Sequence, residues 1–442
     1  MKSMNTNGTA PTSQTATAED DASRAERLIR AIVEGELPMH KLPDDLSPRE
    51  AATIRRRALE ELSQTETESI QHYSFDAEQV SNSNCENLIG VAQVPMGVVG
   101  PVPVRGDYVD DDVYAPLATT EGALVASVNR GCAALRAAQG ATVHIEDVGM
   151  TRAPVFRTSG IRETQRFLDW VEENEDEIRR RTEATSRYLK LLDIRPFKMG
   201  TTVFLRFRFK SGDAMGMNMA TLACDRVIQD YIEPSTGIEC LSLSGNYCVD
   251  KKPSAINAQE GRGKRIYAEA VLEKSVLERY LKTTAANLTE VQYRKNLLGS
   301  TAAGSMGMNA HYANMVAAFF VATGQDIAQV VEGALGVTCI EPRGEDGVFF
   351  SIFMPDVPLG AIGGGTTLQT QKEALELMSV SPNPDQPGQA VMRLAEILGA
   401  TVLAGELSLM GALSSHHLAR AHRQLGRNTL PIQKNGTHPA ST

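Results

Sequence analysis

The sequence predicts an α+β protein with a large, mostly helical domain around a buried central helix and a smaller inserted domain. Its 442 residues are enough for two or three domains. Residues 153–243 show strand and helix patterns in the order β-α-β-β-α-β, which is the ferredoxin-like arrangement. Residues 299–332 have helical spacing and many small side chains, so they are expected to form the central helix.

Changes in composition along the chain predict five segments. The first 22 residues are rich in Ser, Thr, Asn and Ala and lack the blocks of a signal peptide, so they are expected to be disordered. Ile29, Ile32 and Val33 share one face of a first helix, and residues 51–62 form a second. The expected segments are a disordered tail (1–22), an N-terminal helical domain (23–75), a large substrate-binding and catalytic domain (76–152 with 244–427), a small cofactor domain (153–243) and a flexible C-terminal tail (428–442).

Composition also limits the partners and the location of the protein. The net charge of −10 argues against nucleic-acid binding. The six cysteines include no CxxC pair, which argues against a metal site or a disulfide framework and favours a reducing, cytoplasmic compartment. No uninterrupted run of about 18 apolar residues is present, and residues 315–323 come nearest to one, so no membrane association is expected.

A glutamate follows a turn-rich segment in the first part of the large domain. Residues 84–104 combine apolar pieces with Gly and Pro, which predicts short strands and tight turns. A helix is predicted within residues 117–134, with Thr119 or Thr120 as its N-cap. Glu121 would then lie in the first turn, either as an ordinary glutamate favoured by the helix dipole or as a general acid. The second role needs burial or a nearby anion to raise its pKa.

The inserted domain contains a candidate ligand-binding turn, SGDAMGMN at residues 211–218. A strand ends there, Gly212 turns the chain, and Asp213 is predicted to cap the following helix, whose free N–H groups could hold a pyrophosphate. Asp213 itself would repel phosphate, so it caps the helix or accepts from a nicotinamide amide or ribose. The turn is not GxGxxG, so generic dinucleotide recognition does not apply. Met215 and Met217 are either core residues or part of a cofactor pocket.

A loop with two lysines leaves the last strand of the inserted domain. Asp250, Lys251 and Lys252 are consecutive, and Pro253 favours an extended conformation at Lys252. Two cations held on a loop suit an anionic substrate or a developing oxyanion. The alternative interpretation is a solvated surface turn.

The C-terminal half supplies three further candidates. Helix is predicted over residues 268–294 and 299–332, and Asp326 lies deep in the second, where it needs a cation or a shared proton or serves as a structural salt bridge. A strand at 348–354 precedes a glycine-rich loop at 359–367, which is either a ligand contact or a flexible turn. The last helical region, 394–425, carries His417 and His422, five residues apart, a spacing that does not indicate a metal site. A histidine there is either a proton donor on a mobile lid or simply solvent-exposed.

These motifs together resemble the 3-hydroxy-3-methylglutaryl-CoA reductase family. The matching segments are ENLIG (86–90), TTEG (119–122), SGDAMGMN (211–218), SGNYCVDKKPSAIN (244–257), GQD (324–326), GGGT (363–366) and the C-terminal histidine. They occur in the family's order and cover residues 75–427. The pattern is similar to the class I, NADPH-using branch of archaea and eukaryotes, without the eukaryotic membrane-anchor domain.

The resemblance implies a reaction and four catalytic residues. A thioester would be reduced to an alcohol by two hydride transfers from NADPH, giving mevalonate and CoA. Lys251 would hold the thioester oxygen as it becomes an oxyanion, and Glu121 would be the general acid. Asp326 would raise the pKa of Glu121 and pair with Lys251, and His422 would protonate the departing CoA thiolate.

The resemblance also implies binding residues and an assembly. The expected substrate contacts are Glu86, Arg152, Ser244, Asn246, Asp250, Lys252, Lys295 and Asn314. The expected NADPH contacts are Arg187, Tyr188, Asp213, Met215, Gly216, Met217, Asn218, Gly363, Gly364 and Arg427. The family implies a homodimer or dimer of dimers with its active site at the interface, Glu121 and the lysine loop being on one subunit and their partners on the other. Asn428 replaces the serine phosphorylated in the eukaryotic enzymes, so that regulation is not expected.

Two other functions remain open from the sequence. One is a related reductase that oxidises mevalonate catabolically with NAD, against which Arg187 and Arg427 argue because they suit a 2′-phosphate. The other is a non-catalytic binder of CoA thioesters, against which the four catalytic side chains argue when taken together.

Overall fold

A computed structural model describes the backbone of residues 14–415 and the side chains of residues 22–415. The described chain divides between Gln93 and Val94 into two units.

The N-terminal unit is helical, as the sequence predicts for its first part. Its helices are α1 (Gln14–Val33), α2 (Pro48–Ser63) and α3 (Ala77–Ser83), with a 3₁₀ turn at Ser69–Gln71. Helix α2 begins where the Ser47 side chain accepts from the backbone N–H of Glu50 and the Glu50 carboxylate accepts from that of Ser47, a capping box. Ile29, Ile32 and Ile54 form the buried contact between α1 and α2. Helix α1 already begins at Gln14, inside the segment that the sequence analysis assigned to a disordered tail.

The second unit is built on one ten-stranded sheet. Its strands are β1 (Met96–Arg105), β2 (Asp110–Ala118), β3 (Ala141–Arg152), β4 (Val155–Arg157), β5 (Lys190–Met199), β6 (Thr202–Lys210), β7 (Glu239–Ser242), β8 (Arg262–Leu272), β9 (Val337–Arg343) and β10 (Gly347–Val357). The main path runs β7-β4-β6-β3-β8-β10-β9, while β5 pairs with β6 and the β1–β2 hairpin joins through β1 and β3. The inserted segment therefore contributes four strands in the order β7-β4-β6-β5, with antiparallel neighbours.

Helices cover this sheet and fill its connections. They are α4 (Leu124–Ala137), α5 (Ile161–Glu173), α6 (Glu175–Glu183), α7 (Met217–Val227), α8 (Glu233–Thr236), α9 (Ala255–Glu260), α10 (Lys274–Val276), α11 (Ala285–Val291), α12 (Ser300–Ala303), α13 (Tyr312–Thr323), α14 (Val330–Gly333), α15 (Gln369–Leu377) and α16 (Gln389–Ser414). Wider π-helical turns occupy Ile228–Ile232, Leu277–Leu281 and Gln292–Gly299.

The central buried helix is α16, and the sequence analysis placed it elsewhere. Among the described residues it is the helix long and apolar enough to cross a membrane by length and composition, and 89% of that window is buried inside the protein. Burial of this kind identifies the core helix of a globular unit. The nearest membrane-like candidate is therefore α16, not residues 315–323 as the sequence analysis proposed.

Two helix predictions were wrong in extent. Residues 299–332 do not form one helix, because Gly304 and Gly324 have left-handed backbone angles (φ 67° and 70°) that end the helices before them. Residues 268–272, predicted to be helical, instead complete strand β8. Tertiary pairing with β3 and β10 decides this segment against its helical composition.

The hydrophobic residues of the second unit form two clusters. The larger one lies among the sheet and helices α4, α13 and α16. The smaller one is confined to residues 156–238 and includes Phe156, Phe167, Phe207 and Phe209. The inserted segment thus has a core of its own, although it shares the sheet with the rest of the unit.

Candidate active site

The lysine loop connects β7 to α9 and places the Lys251 ammonium beside Asp326. Lys251 Nζ lies 2.8 Å from Asp326 Oδ2, with the two side chains 42% and 32% exposed. The hydrogen bond from Lys251 to Asp326 holds the pKa of Lys251 above its ordinary value. The ammonium is therefore charged and still open to a ligand, as the sequence analysis expects of an oxyanion partner.

Asp326 does not lie deep in a helix, contrary to the sequence prediction. Helix α13 ends at Thr323, and Gly324 then turns the chain. Only glycine fits at position 324, because a Cβ there would overlap the Gly365 carbonyl of the glycine-rich loop. The Asp326 carboxylate accepts from the Ala328 N–H and so caps a short 3₁₀ turn. Because helix α13 ends here, Asp326 lies at the surface, within reach of Lys251.

Asp250 faces inward, under the loop. It pairs with Arg262 at 2.7 Å and accepts from the Gln329 amide at 2.9 Å. Burial opposes ionisation, but the Arg262 charge and the Gln329 hydrogen bond keep the pKa of Asp250 below its ordinary value. Asp250 therefore holds the loop to β8 through its Oδ1, which accepts both hydrogen bonds.

The glycine-rich loop and the SGDAMGMN turn are joined to the GQD segment. The Gln325 side chain makes two hydrogen bonds of 2.9 Å with the Gly360 backbone, donating to its carbonyl and accepting from its N–H. The Ala361 N–H donates to the Asp213 carbonyl at 2.7 Å. Arg262 also donates to the Met217 sulfur at 3.0 Å. These contacts, with the Arg262–Asp250 pair, bring together four motifs that are distant in sequence.

Asp213 caps a helix, but not the one that the sequence analysis assigned. Its carboxylate oxygens accept from the N–H groups of Gly388 and Val391, at 2.9 and 3.0 Å, and so cap the start of α16. Helix α7 begins instead after Gly216, whose φ of 96° places it in the left-handed region. Because its carboxylate is occupied, Asp213 has little left to offer a ligand except its backbone.

A cavity of 630 Å³ opens beside this turn. Three cationic side chains line it, Arg187, Lys190 and Lys210, of which Lys190 also pairs with Glu183 at 2.9 Å. One acid, Asp147, lines it as well. That acid is already paired with Lys264 at 2.8 Å. The cavity wall also includes Tyr188 and Gly212, and the Arg187 guanidinium lies 4.5 Å above the Tyr188 ring. A positively charged pocket next to a glycine turn fits a phosphorylated dinucleotide.

The other predicted cofactor residues of the described chain are not among those that line this cavity. Met215 and Met217 are half-buried, Gly216 is buried, and Asn218 is exposed. Gly363 and Gly364 are exposed, with φ values of 85° and 56°. A larger cavity of 710 Å³ on residues 56–71 of the N-terminal unit contains no predicted site residue.

Glu121 is not in the first turn of a helix. Helix α4 begins only at Leu124, after Ala123 in a left-handed conformation with φ 76°. The Thr119 hydroxyl accepts from the Glu121 N–H at 3.0 Å and so shapes the loop before the helix. Within residues 22–415 the exposed Glu121 carboxylate makes no ion pair with Lys251 or any other cation. The described chain thus presents Glu121 to solvent.

Lys295 and Asn314 belong to a second group of polar residues, around Glu406 of α16. The Glu406 carboxylate accepts from the N–H groups of Ala310 and His311. Burial lowers the pKa of Lys295, and the Glu406 charge counteracts this. Lys295 lies in the π-helical turn Gln292–Gly299, and such widened turns are frequent at functional sites. Asn314 Nδ2 is 3.4 Å from His311 Nδ1.

The other predicted substrate contacts are distributed around the lysine loop or outside it. Arg152 has a buried Nε without a hydrogen-bond partner among the described residues. Ser244 Oγ lies 3.5 Å from the Cys248 sulfur, Asn246 is exposed, and the Lys252 ammonium donates to the Asp250 carbonyl at 3.3 Å. Glu86 is an exposed residue of the N-terminal unit.

His422 and Arg427 lie outside the described residues, so their predicted roles rest on the sequence. Three residues that support the site were not predicted: Gln325, Arg262 and Glu332. Glu332 interrupts the apolar run VVEGALG, and a lone acid in such a run indicates a buried ion pair. That signal was present in the sequence.

Comparisons with known proteins agree with the site on the class of protein, an oxidoreductase. The family model described as hydroxymethylglutaryl-coenzyme A reductase matches residues 51–427, and the chain belongs to that family. Curated proteins named 3-hydroxy-3-methylglutaryl-coenzyme A reductase are similar over nearly their whole length. The one from Methanothermobacter thermautotrophicus is 49% identical over 90% of this chain and 98% of its own. The one from Pyrococcus abyssi is 46% identical over 91% and 99%.

A solved structure supports the fold. It is the class II 3-hydroxy-3-methylglutaryl-CoA reductase from Streptococcus pneumoniae bound to NADPH in open conformations. The TM-score is 0.60 at 17% identity, over 89% of this chain and 96% of that chain. At this identity the likeness shows a shared mixed helix-and-sheet fold.

Proposed function

We propose that this protein reduces 3-hydroxy-3-methylglutaryl-CoA to mevalonate and CoA with two equivalents of NADPH. The observation that carries the proposal is the charged, accessible Lys251 ammonium held 2.8 Å from Asp326, in a chain that is 49% identical to a curated reductase of that name. NADPH would supply the hydride in both reductive steps. The chain's own residues would then orient the carbonyl, stabilise its oxygen and deliver protons.

Lys251 is assigned to the oxygen that gains charge when hydride reaches the carbonyl. A fixed ammonium aimed at that oxygen stabilises the transition state more than the ground state. Glu121 is assigned to deliver the proton to that oxygen, and Asp326 to keep a proton on Glu121 by repulsion and to hold Lys251 in place. His422 is assigned to protonate the CoA thiolate, which is otherwise a poorly solvated anion in the closed site.

The cofactor site would be the cavity beside residues 211–218. Arg187 and Lys210 would meet phosphate groups there, with Arg427 as a further cation for the 2′-phosphate. The backbone of Met215–Asn218 and of Gly363–Gly364 would pass along the ligand. Residues 153–243, which have their own apolar cluster, would be the ferredoxin-like NADPH-binding domain, and residues 76–152 with 244–427 the large domain.

Substrate would be held by residues around both polar groups. The proposed contacts are Glu86, Arg152, Ser244, Asn246, Asp250, Lys252, Lys295 and Asn314. Asp250 is tied to Arg262, so it would orient the loop as well as accept from the substrate hydroxyl.

The working assembly would be a homodimer or dimer of dimers, acting in the cytoplasm. Glu121 makes no ion pair among the described residues, so its approach to the lysine loop is assigned to the assembled dimer. Asp326 meets Lys251 within one chain, so this pair does not require a partner subunit. Exposed apolar side chains beside Asp326, namely Ile327, Val331 and Ile362, would be covered by the partner.

Steady-state turnover tests the function, and a coenzyme titration tests the cofactor. Purified protein should oxidise two NADPH per hydroxymethylglutaryl-CoA and release free thiol. A strong preference for NADH would favour the catabolic alternative. If the protein bound the thioester but did not turn it over with either coenzyme, only the hypothesis of a non-catalytic CoA-thioester binder would remain.

His422→Ala separates the proposed roles of the catalytic residues. The variant should be slow on the CoA thioester, since the thiolate leaves unprotonated, but should still reduce free mevaldehyde at near the wild-type rate. Lys251→Ala should fail on both substrates, because both have a carbonyl oxygen that gains charge. Equal loss of mevaldehyde reduction in the two variants would contradict this division of roles.

A further inference from the structure

A second set of charges lies directly beneath the lysine loop and is fully enclosed. Arg262 of β8, Glu332 of α14 and Asp356 of β10 are each buried. Arg262 pairs with Glu332 at 2.5 Å and with Asp250 of the loop at 2.7 Å. The Lys251 backbone N–H donates to the other oxygen of the same Glu332 carboxylate. Glu332 therefore connects the buried cation to the peptide that carries the reactive lysine.

Lys251 needs such a tether because its backbone is in a conformation that lysine seldom adopts. Its φ is 58°, in the left-handed region. A non-glycine residue held there costs about 1 kcal/mol or more and persists only where surrounding contacts fix it. The Glu332 carboxylate supplies that contact at Lys251 itself, with Arg262 behind it.

Asp356 lacks the partners that a buried carboxylate requires. Both of its oxygens are enclosed, and no donor among the described residues meets hydrogen-bond geometry to them. The Glu332 carboxyl and the Asn257 amide nevertheless lie close enough to shift the pKa of Asp356, in opposite directions. Burial raises the pKa of Asp356 well above its ordinary value, and repulsion from Glu332 raises it further, against the Arg262 charge. Burial likewise raises the pKa of Glu332. A proton on one acid would supply the hydrogen bond that is missing.

The surrounding charges do not compensate both acids. Arg262 is shared with Asp250, and Lys251 directs its ammonium to Asp326. Arg206 of β6 is also close enough for the Asp356 charge to counteract the lowering of its pKa by burial, but it already pairs with Glu260 and donates to the Asn257 amide oxygen at 2.9 Å. Each of the two cations near Glu332 and Asp356 is thus shared with another acid, so holding both carboxyls as anions is unfavourable. Among the described residues, no group of three or more His, Cys, Asp or Glu side chains is arranged to hold a metal ion.

We propose that Glu332 is a positioning residue for the Lys251 ammonium, and that Glu332 and Asp356 hold one proton between them so that this tether weakens as the proton leaves. The proposal rests on the catalytic role given to Lys251 above. At neutral pH the protonated acid donates to the other, and the pair carries a single charge opposite Arg262. At alkaline pH two adjacent buried anions repel, and the Lys251 peptide loses its fixed acceptor.

Three substitutions test the proposal. Glu332→Ala removes the acceptor for the Lys251 N–H, Glu332→Gln keeps an oxygen there, and Asp356→Asn replaces the shared proton with a permanent N–H donor. Glu60→Gln is the matched control, because Glu60 also accepts from a backbone N–H, that of Thr67, and pairs with Arg56, but in the N-terminal unit. Each is compared with wild type in kcat, in KM for NADPH and in the hydrogen exchange of residues 249–256.

Glu332→Ala should lower kcat by roughly 10- to 100-fold, the cost of a misplaced catalytic group, with KM for NADPH unchanged. Glu332→Gln should recover most of that loss, and the control should match wild type. The ratio of kcat for Asp356→Asn to wild-type kcat should rise between pH 6 and pH 9. Loss of kcat caused by deprotonation of Lys251 occurs in both proteins and therefore cancels in this ratio.

Opposite results would overturn the proposal. A folded Glu332→Ala variant with wild-type kcat, a Gln variant as impaired as Ala, or a pH-independent Asp356→Asn ratio would each do so. Should Glu332→Ala fail to fold, the Gln variant and the Asp356→Asn ratio still decide. A wild-type protein without reductase activity would refute the proposed function instead. In that case hydrogen exchange alone tests whether Glu332 fixes the Lys251 peptide. Residues 249–256 must then exchange faster in Glu332→Ala than in wild type.

Discussion

Two ion pairs hold the lysine loop, and they differ in almost every physical respect. Lys251–Asp326 lies at the surface, with both side chains more than 30% exposed. Arg262–Glu332, the second pair, has both side chains fully buried. The loop thus carries one charge that solvent and ligands can reach and rests on another that they cannot.

The difference assigns separate tasks to the two pairs. An exposed pair contributes about 0–1 kcal/mol to folding, so a substrate oxygen can change its geometry with little loss of stability. A buried pair is not rearranged without leaving an unpaired charge in the interior. The chain therefore presents an accessible cation for chemistry and supports it on a buried ion pair that resists rearrangement.

Arg262→Met should produce the largest effect, in stability. Removing one partner of a buried pair costs about 3–5 kcal/mol, since Glu332, Asp250 and Asp356 lose their shared cation. The free energy of unfolding, measured with urea, should fall accordingly. The loss should be greater at pH 8 than at pH 5. Acids whose folded pKa values are raised above their unfolded values are penalised progressively as pH rises between the two.

A surface substitution provides the control for Arg262→Met. Arg180 pairs with Glu177 at 2.5 Å on α6, where its side chain is 67% exposed. Arg180→Met should leave the free energy of unfolding close to that of wild type, because an exposed ion pair contributes little to stability. If both variants lost the same amount of stability, the contrast between buried and exposed pairs would not hold in this protein.

Lys251→Ala should have the next largest effect, on activity rather than on stability. Loss of one oxyanion partner lowers kcat by about 10²- to 10³-fold, or about 2.7–4 kcal/mol in the barrier. The free energy of unfolding should change by less than about 1 kcal/mol, because the pair with Asp326 is exposed. NADPH oxidation and urea unfolding on the same preparation measure both. A variant that is as unstable as Arg262→Met would show that Lys251 is structural.

The sequence predicts the chemistry of the site better than the fold around it. The family resemblance implied that Lys251 pairs with Asp326, and the structure places their charged atoms 2.8 Å apart. Motifs of this kind are short and local, so each survives errors in the elements that flank it. The reaction could therefore be inferred while the central helix was assigned to residues 299–332 rather than to α16.

Two of the errors, at strand β8 and at Asp213, share one physical cause, which is that partners distant in sequence decided the structure. Strand β8 is paired on both sides, with β3 and β10, and this pairing overrides the helical composition of residues 268–272. Asp213 looks like a local N-cap but caps α16, whose first residue lies more than a hundred positions further on. Glu121 was placed in a helix that begins only at Leu124, because the left-handed Ala123 gives no compositional signal.

Asp326→Asn should give the smallest effect and tests the exposed pair itself. The hydrogen bond from Lys251 to Asp326 raises the pKa of Lys251, so the variant should lose ammonium charge at lower pH than wild type. For mevaldehyde, a substrate that has no thioester to hydrolyse, the alkaline limb of the kcat profile should move to lower pH.

The stabilising contribution of this pair is present at neutral pH and disappears as pH rises through the folded pKa of Lys251. The variant should therefore be less stable at pH 7 by at most about 1 kcal/mol and equal to wild type above that pKa. Because Asp326 is also proposed to act on Glu121, the height of the profile should fall as well, so the position of the limb is the informative quantity. A limb that stays in place while kcat falls at every pH would mean that Asp326 acts on Glu121 and leaves the Lys251 ammonium unaffected.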